Sequence, residues 1–290
     1  MAQITAALVK QLREMTSVGM MDCKKALVEA DGDIDKAVDI LRTHGLAAAA
    51  KKAGRATNEG AVTIVTNDDN TAAAMLELRC ETDFVSSNDV FKGYANTIAQ
   101  AVLANNPADV DALKACTVDG TTVEEIMNDA IHKIGENMQI ARFTYLEDKD
   151  GYIAQYIHMG GKIGILVDFG ITNKATAENA EFVQMTKDVA MQIAAMSPVS
   201  VSRDTVPEDV KEHEMSIYKA QAAESGKPEN IQEKIATGRM EKFYKENCLM
   251  EEAFVKDNDK TVGKYVEEVA KAAGDTVTVK SFTSFVLGAE

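Results

Sequence analysis

From Gly60 onward the chain is one unit written twice, and this constrains its fold more than any composition figure does. Sliding the sequence against itself by 91 positions sets Gly60 over Gly151, the strand-like Val62-Thr63-Ile64-Val65 over Ile153-Ala154-Gln155-Tyr156, and Met75-Leu76-Glu77-Leu78 over Leu166-Val167-Asp168-Phe169, without a gap. The same offset sets Phe91 over Phe182, Ile98 over Val189, Ala99 over Ala190, Val102 over Ile193 and Pro107 over Pro198. These residues recur at helical spacing, and proline, which has no N–H to donate, ends each helix. A second offset, 139, sets Thr122-Val123 over Thr261-Val262, Gly135 over Gly274 and Phe143-Thr144 over Phe282-Thr283, adding a helix and a third strand to each copy. Each copy predicts a three-stranded antiparallel meander backed by helices, an α+β architecture.

The change of offset means that the second copy holds 48 additional residues between Pro198 and Thr261. Glu208 to Glu224 and Glu229 to Lys245 read as two helices joined by the turn Ser225-Gly226-Lys227-Pro228. Apolar residues are sparse there (Val210, Ile217, Ile231, Ile235), so the insert predicts a thin antiparallel, coiled-coil-like arm. Ahead of the repeat, Thr5 caps a helix with a stripe of Leu8, Val9, Leu12 and Met15, and a second helix runs from about Met20 to Ala30. Asp33 caps a third, striped by Ile34, Ala37, Val38 and Leu41, which Gly45 is expected to end. A short helical linker, Leu46 to Ala53, then leads to Gly54. The expected domains are a helical head at 1–54, a first core subdomain at 55–146 and a second at 147–290, with the helical-hairpin insert at about 204–250.

Charge narrows the function classes. The 31 basic and 46 acidic side chains leave a net charge of −15, and no Lys/Arg stripe is present, which argues against direct nucleic-acid binding. The longest clean small-apolar run, Leu46 to Ala50, is far short of the ~20 residues of a membrane helix. Lys10, Arg13 and Glu14 interrupt the N-terminal apolar residues where a signal peptide would be continuous, so a cytoplasmic protein is expected. Cys23, Cys80, Cys116 and Cys248 lie far apart without a C-x-x-C pair and read as free thiols.

Catalytic candidates are thin. Gly160-Gly161-Lys162-Ile163-Gly164 suggests a phosphate loop but lacks the G-x-x-x-x-G-K-[ST] spacing, and the repeat lays His158-Met159-Gly160-Gly161 over the polar hairpin tip Asn67-Asp68-Asp69-Asn70. His44, His132, His158 and His213 show no zinc-binding spacing, and Cys23 with His44 reads better as a packed cysteine and a helix-end histidine than as a nucleophile and its base. The chain is therefore expected to have no catalytic, metal or cofactor site of its own. Cys80-Glu81-Thr82-Asp83-Phe84-Val85-Ser86-Ser87 is different, because it carries a large aromatic from a buried strand into a polar loop. Phe84 is either a helix-entry staple or an exposed anchor. The repeat weighs for the anchor: Asn173-Lys174-Ala175-Thr176 lies over Thr82-Asp83-Phe84-Val85, so the matching copy completes its fold without an aromatic. Gly19-Met20-Met21-Asp22-Cys23-Lys24-Lys25 opens a helix with two thioethers; core packing is the default for one of them and adaptable partner contact the alternative.

Leu12-Arg13-Glu14, Thr16, Gly19 to Leu27, Thr82-Asp83-Phe84-Val85 and Lys133-Ile134-Gly135-Glu136-Asn137, with Lys260-Thr261-Val262-Gly263 close after Phe254-Val255, resemble the bacterial elongation factor Ts family across nearly the whole chain. The resemblance implies a ubiquitin-associated-like N-terminal bundle of three helices, two related subdomains and a helical-hairpin insert. It also implies a guanine-nucleotide exchange factor for elongation factor Tu, with no chemical step of its own. By resemblance Phe84 wedges into the GTPase domain with Asp83 beside it, in the Thr82-to-Val85 motif, and disturbs the magnesium and phosphate sites. The head around Met20, Met21, Asp22 and Cys23 leans on the same domain, and His158, Met159, Gly160 and Gly161 reach the partner's third domain. The chain ends at Glu290, soon after its last strand, so the C-terminal helical module of some family members is expected to be missing. A runner-up reading is a non-catalytic adaptor whose head binds peptides or ubiquitin-like surfaces and whose arm makes it a homodimer.

Overall fold

Thr5 opens the first helix as the sequence predicts, its hydroxyl accepting a hydrogen bond from the Leu8 N–H at 3.2 Å. The computed structural model describes residues 4–16, 18–224 and 226–289. Three helices, α1 (Ala6–Thr16), α2 (Met20–Glu29) and α3 (Ile34–Lys52), enclose Val9, Leu12, Cys23, Ala26, Leu27, Ala37 and Leu41. Asp33 caps α3 by accepting from the Lys36 N–H at 3.1 Å.

The first copy runs β1 (Glu59–Thr66), β2 (Ala72–Cys80), α4 (Asp83–Ser86), α5 (Asp89–Asn105), α6 (Val110–Ala115), the small hairpin β3 (Thr117–Val118) and β4 (Thr121–Thr122), α7 (Val123–Ile134) and β5 (Met138–Glu147). The second runs β6 (Gly151–His158), β7 (Ile163–Gly170), a 3₁₀ turn (Lys174–Glu178), α8 (Ala180–Met196), a second 3₁₀ turn (Arg203–Thr205), α9 (Glu208–Ala223), α10 (Glu229–Asn247), β8 (Ala253–Phe254), β9 (Asp257–Thr261), α11 (Val262–Ala273) and β10 (Thr278–Val286). Each copy forms an antiparallel sheet of three strands, in the orders β1-β2-β5 and β6-β7-β10. The fold is thus a mixed one with small antiparallel sheets, as expected.

Residues paired by the offsets do the same local work. Thr122 and Thr261 cap α7 and α11, and Gly135 and Gly274 end those helices in left-handed conformation with φ of 88° and 69°. The helices α5 and α8 stop two residues before Pro107 and Pro198, and Asn106 and Ser197 close them with φ of 43° and 51°.

The central strands are buried on both faces. In β2, Ala74, Leu76, Leu78 and Cys80 face α5 and α7, while Ala73 and Met75 face the other sheet. In β7, Ile165, Val167 and Phe169 face their own helices, while Leu166 meets Val62, Met75, Ile153 and Phe285. This period of two, apolar on both faces apart from the buried carboxylates Glu77 and Asp168, stacks the sheets back to back, with helices on both outer sides. Gly164 permits the approach: a Cβ there would lie 2.4 Å from Val62 Cγ1 and 2.9 Å from Met75 Sδ.

Gly45 does not end its helix. It is buried within α3, where a Cβ would sit 3.7 Å from the Cβ of His132 on α7. Helix packing there, with Arg42 bound to Glu125 at 2.5 Å and Lys52 donating to the Ile131 carbonyl at 3.1 Å, outweighs glycine's penalty of ~1 kcal/mol. Leu46 to Ala53 is accordingly not a separate linker helix but the last turns of α3 and its cap. The insert forms two helices near the expected bounds, and Ser225 of its expected turn lies outside the described residues. Their seam is larger than the sparse aliphatics suggested: Val206, Met240, Phe243 and Cys248 are buried at the base, with Val210, Met215, Tyr218 and Tyr244 against them.

Candidate partner-binding surface

Thr82 stands where β2 leaves the sheet, and its extended backbone makes it the N-cap of α4, accepting from the Val85 N–H at 3.4 Å. Ser86 is buried and its hydroxyl donates to the Asp83 carbonyl at 3.0 Å, while Val85 is half-buried against the first core. The single turn between them holds Asp83 and Phe84 in solvent. Phe84 is 85% exposed, the most exposed of the large apolar side chains among the described residues. The staple reading is excluded by that exposure.

A pair of reciprocal carboxylate clamps fixes the turn to the loop after α7. Glu136 accepts from the N–H groups of Glu81 and Thr82, each at 3.0 Å, and from the Thr82 hydroxyl at 2.6 Å. In return Glu81 accepts from the Asn137 N–H at 2.6 Å and from Arg55 at 3.3 Å. The Asn137 hydrogen bond and the Arg55 charge hold the Glu81 carboxyl below its ordinary range. Asn137 is buried and donates through Nδ2 to the Arg55 carbonyl at 2.7 Å. The Cys80 thiol beneath donates to the Thr82 carbonyl, and burial pushes its pKa up to about 12. Two sequence motifs whose bonded residues Thr82 and Glu136 are 54 positions apart thus meet at one turn.

The second copy repeats the clamp without the aromatic. Asp275 lies at the offset position of Glu136 and accepts from the N–H groups of Thr172 and Asn173 at 3.0 and 3.2 Å, and from the Thr176 hydroxyl at 2.7 Å. Burial raises the Asp275 pKa, but these hydrogen bonds outweigh it and hold the carboxyl well below the usual range. Ala175 occupies the place of Phe84.

Met20 and Met21 at the start of α2 are 44% and 65% exposed, so neither is the core residue expected of one of them. Asp22 is half-buried and pairs with Lys25 at 3.3 Å. Cys23 is fully buried between the head helices and is a core residue, not a surface contact. Its placement follows from helical period, since the position after Asp22 turns inward with Ala26 and Leu27.

His158, Met159 and Gly160 form the exposed hairpin tip between β6 and β7, with Met159 70% exposed. The Tyr156 hydroxyl lies 3.0 Å from His158 Nδ1, and the two rings stack with centroids 5.8 Å apart. Gly161 is buried instead: its carbonyl accepts from the Val62 N–H at 2.8 Å, and with φ of 101° a Cβ there would meet Ala61 Cβ at 2.9 Å. Sheet stacking therefore removes Gly161 from the tip surface. Among the described residues, no hydrogen bond or ion pair links the three patches directly to one another, and no group of three or more His, Cys, Asp or Glu side chains could hold a metal ion.

Residues 81–289 match the family model described as Elongation factor TS. The chain is 47% identical over 288 residues to Elongation factor Ts of Trichlorobacter lovleyi, an alignment covering 98% of this chain and 93% of that protein. It is 46% identical to Elongation factor Ts of Desulfovibrio desulfuricans over the full length of both, and 48% identical to that of Clostridioides difficile over 99% of this chain and 94% of the relative. The chain belongs to the elongation factor Ts family. Family membership makes it a factor of translation elongation of the guanine-nucleotide exchange class. Within an elongation factor Ts, the clamp around Phe84 is what sequence reasoning missed: Glu81, Glu136 and Asn137 carried no assigned role. The signal was present in the repeat, which sets one carboxylate, Glu136, over another, Asp275. No helix is long and apolar enough to cross a membrane among the described residues.

Proposed function

We propose that the chain binds elongation factor Tu carrying GDP and accelerates GDP release, with Phe84 as a wedge in the GTPase domain and Asp83 beside it. The observation that carries this reading is an 85% exposed phenylalanine on a clamped turn, where the equivalent turn of the second copy carries alanine. Covering such a ring stabilises a complex by ~1.5–3 kcal/mol, and buried aromatic anchors dominate interface energetics.

GDP held at nanomolar strength represents ~12 kcal/mol, so its spontaneous release is slow. A factor that binds the nucleotide-free GTPase better than the GDP-bound one weakens GDP by the same factor, and incoming nucleotide expels it in turn. The wedge acts by disturbing the magnesium and phosphate sites, so the chain performs no chemical step, needs no cofactor and touches neither nucleotide nor RNA. In this reading the head is a ubiquitin-associated-like bundle at 1–54, the sheets belong to related subdomains at 55–146 and 147–290, the hairpin at about 204–250 is a coiled-coil-like arm, and the protein works in the cytoplasm. Met20, Met21 and Asp22 lean on the GTPase domain, while His158, Met159 and Gly160 reach the third domain; flexible thioethers suit such contacts.

Stopped-flow release of a fluorescent GDP from elongation factor Tu tests the proposal. Release accelerated in proportion to the concentration of this chain is expected; an unchanged rate sinks it.

A further inference from the structure

Resting on the exchange reading, we infer that Glu136 is a positioning residue for nucleotide exchange, acting through Phe84 from the far side of the turn. The helix α4 has four residues, too few to hold a direction by its own hydrogen bonds. Phe84, exposed as it is, contributes no packing that would fix it. Val85 and Ser86 seat the inner side of the turn, and its base is fixed where Glu136 collects two backbone N–H groups and the capping hydroxyl of Thr82. Charge-assisted hydrogen bonds of this kind are the strong ones. Without Glu136, two N–H groups lose their acceptor and the cap loses its anchor, so the turn samples several conformations. Binding then weakens by the fraction of time the ring spends in its competent pose.

The second copy separates this role from simple support. Asp275 makes the same class of bonds to Thr172, Asn173 and Thr176, but the turn above it presents Ala175. The clamp is thus a device of the repeated scaffold, and only the first copy aims an aromatic with it.

The experiment measures kcat and KM for GDP release from elongation factor Tu with the full-length chain and its variants Glu136→Ala, Phe84→Ala, the double variant and Asp275→Ala, alongside amide hydrogen exchange of residues 82–86. Glu136→Ala is expected to lower kcat/KM about tenfold, equivalent to ~1.4 kcal/mol, and to speed amide exchange in the turn. In the Phe84→Ala background the same substitution should change kcat/KM less than twofold, the non-additivity of residues that act as a unit. Asp275→Ala should lower the melting temperature yet leave exchange at the wild-type rate. If Glu136→Ala does not fold, Glu136→Gln takes its place in the cycle, with a smaller loss and the same non-additivity expected. Additive losses, an unchanged Glu136→Ala rate, or an equal loss in Asp275→Ala overturns the inference. If the wild-type chain releases no GDP, the exchange reading has failed, and amide exchange alone decides whether Glu136 orders the turn: faster exchange supports that part, unchanged exchange refutes it.

Discussion

Replacing Phe84 by alanine should separate binding from folding more cleanly than any other single change. The side chain is 85% exposed, so truncating it opens no cavity and removes almost no burial, and alanine is the better helix former. The melting temperature should move by no more than about 1 °C, since a few tenths of a kcal/mol correspond to at most that shift in a chain of this size. In the complex the ring would be covered, and losing ~1.5–3 kcal/mol of burial lowers kcat/KM for GDP release about 10- to 150-fold. Phe182 supplies the contrast. It is fully buried, packed edge-to-face on Tyr152 and Phe169 with ring centroids 5.2 and 6.1 Å away, so Phe182→Ala should cost ~3–5 kcal/mol of stability. Thermal melting and stopped-flow release on the same preparations check both halves. A large stability loss in Phe84→Ala would return the residue to the fold, and an unchanged release rate would remove it from the mechanism.

Gly164→Ala should destabilise the chain by ~1–3 kcal/mol in denaturant unfolding, because its Cβ would fall 2.4 Å from Val62 Cγ1 between the sheets; Gly160→Ala, with φ of 66° but open space around it, should cost less. Asp168 is buried, and burial together with its carboxylate neighbour Asp148 raises its pKa to about 6. A carboxyl raised above its unfolded value stabilises fully below pH ~3.9, and that contribution is lost as pH rises through about 6. Asp168→Asn should therefore stabilise the chain at pH 7 by about 3 kcal/mol, raising its melting temperature, and give no gain at pH 4; the same gain at both values would contradict the assignment. Native chain should show one reactive thiol to a disulfide reagent, Cys116, because Cys23, Cys80 and Cys248 are buried and burial pushes the last two up to about 12 and about 11; denaturation should release all four.

Local chemistry was readable where it rests on period and on capping residues. The caps Thr5, Asp33, Thr122 and Thr261, the glycine stops Gly135 and Gly274, and the two-helix insert all follow from residues within a few positions of one another. The repeat went further and marked Phe84 as a residue the scaffold can spare, since Ala175 serves in its place. What failed had a long-range cause. Gly45 reads as a helix stop, but contact with α7 carries the helix through it. Cys23 reads as a packed cysteine from its own pattern and is one, although the resemblance set it in a contact patch, while Gly161 reads as part of the hairpin tip but lies against β1.

The sequence by itself determined the principal helices, the six main strands, the doubled unit, the family and the residue to suspect, because helix and strand periods, caps and internal likeness are properties of neighbouring or matched positions. Only the tertiary structure decided that the two sheets stack back to back and that Glu136 reaches across from the loop after α7 to hold the turn under Phe84. Both depend on surfaces and hydrogen bonds between segments far apart in the chain, and no local pattern records which distant group will satisfy a given N–H or cover a given apolar face.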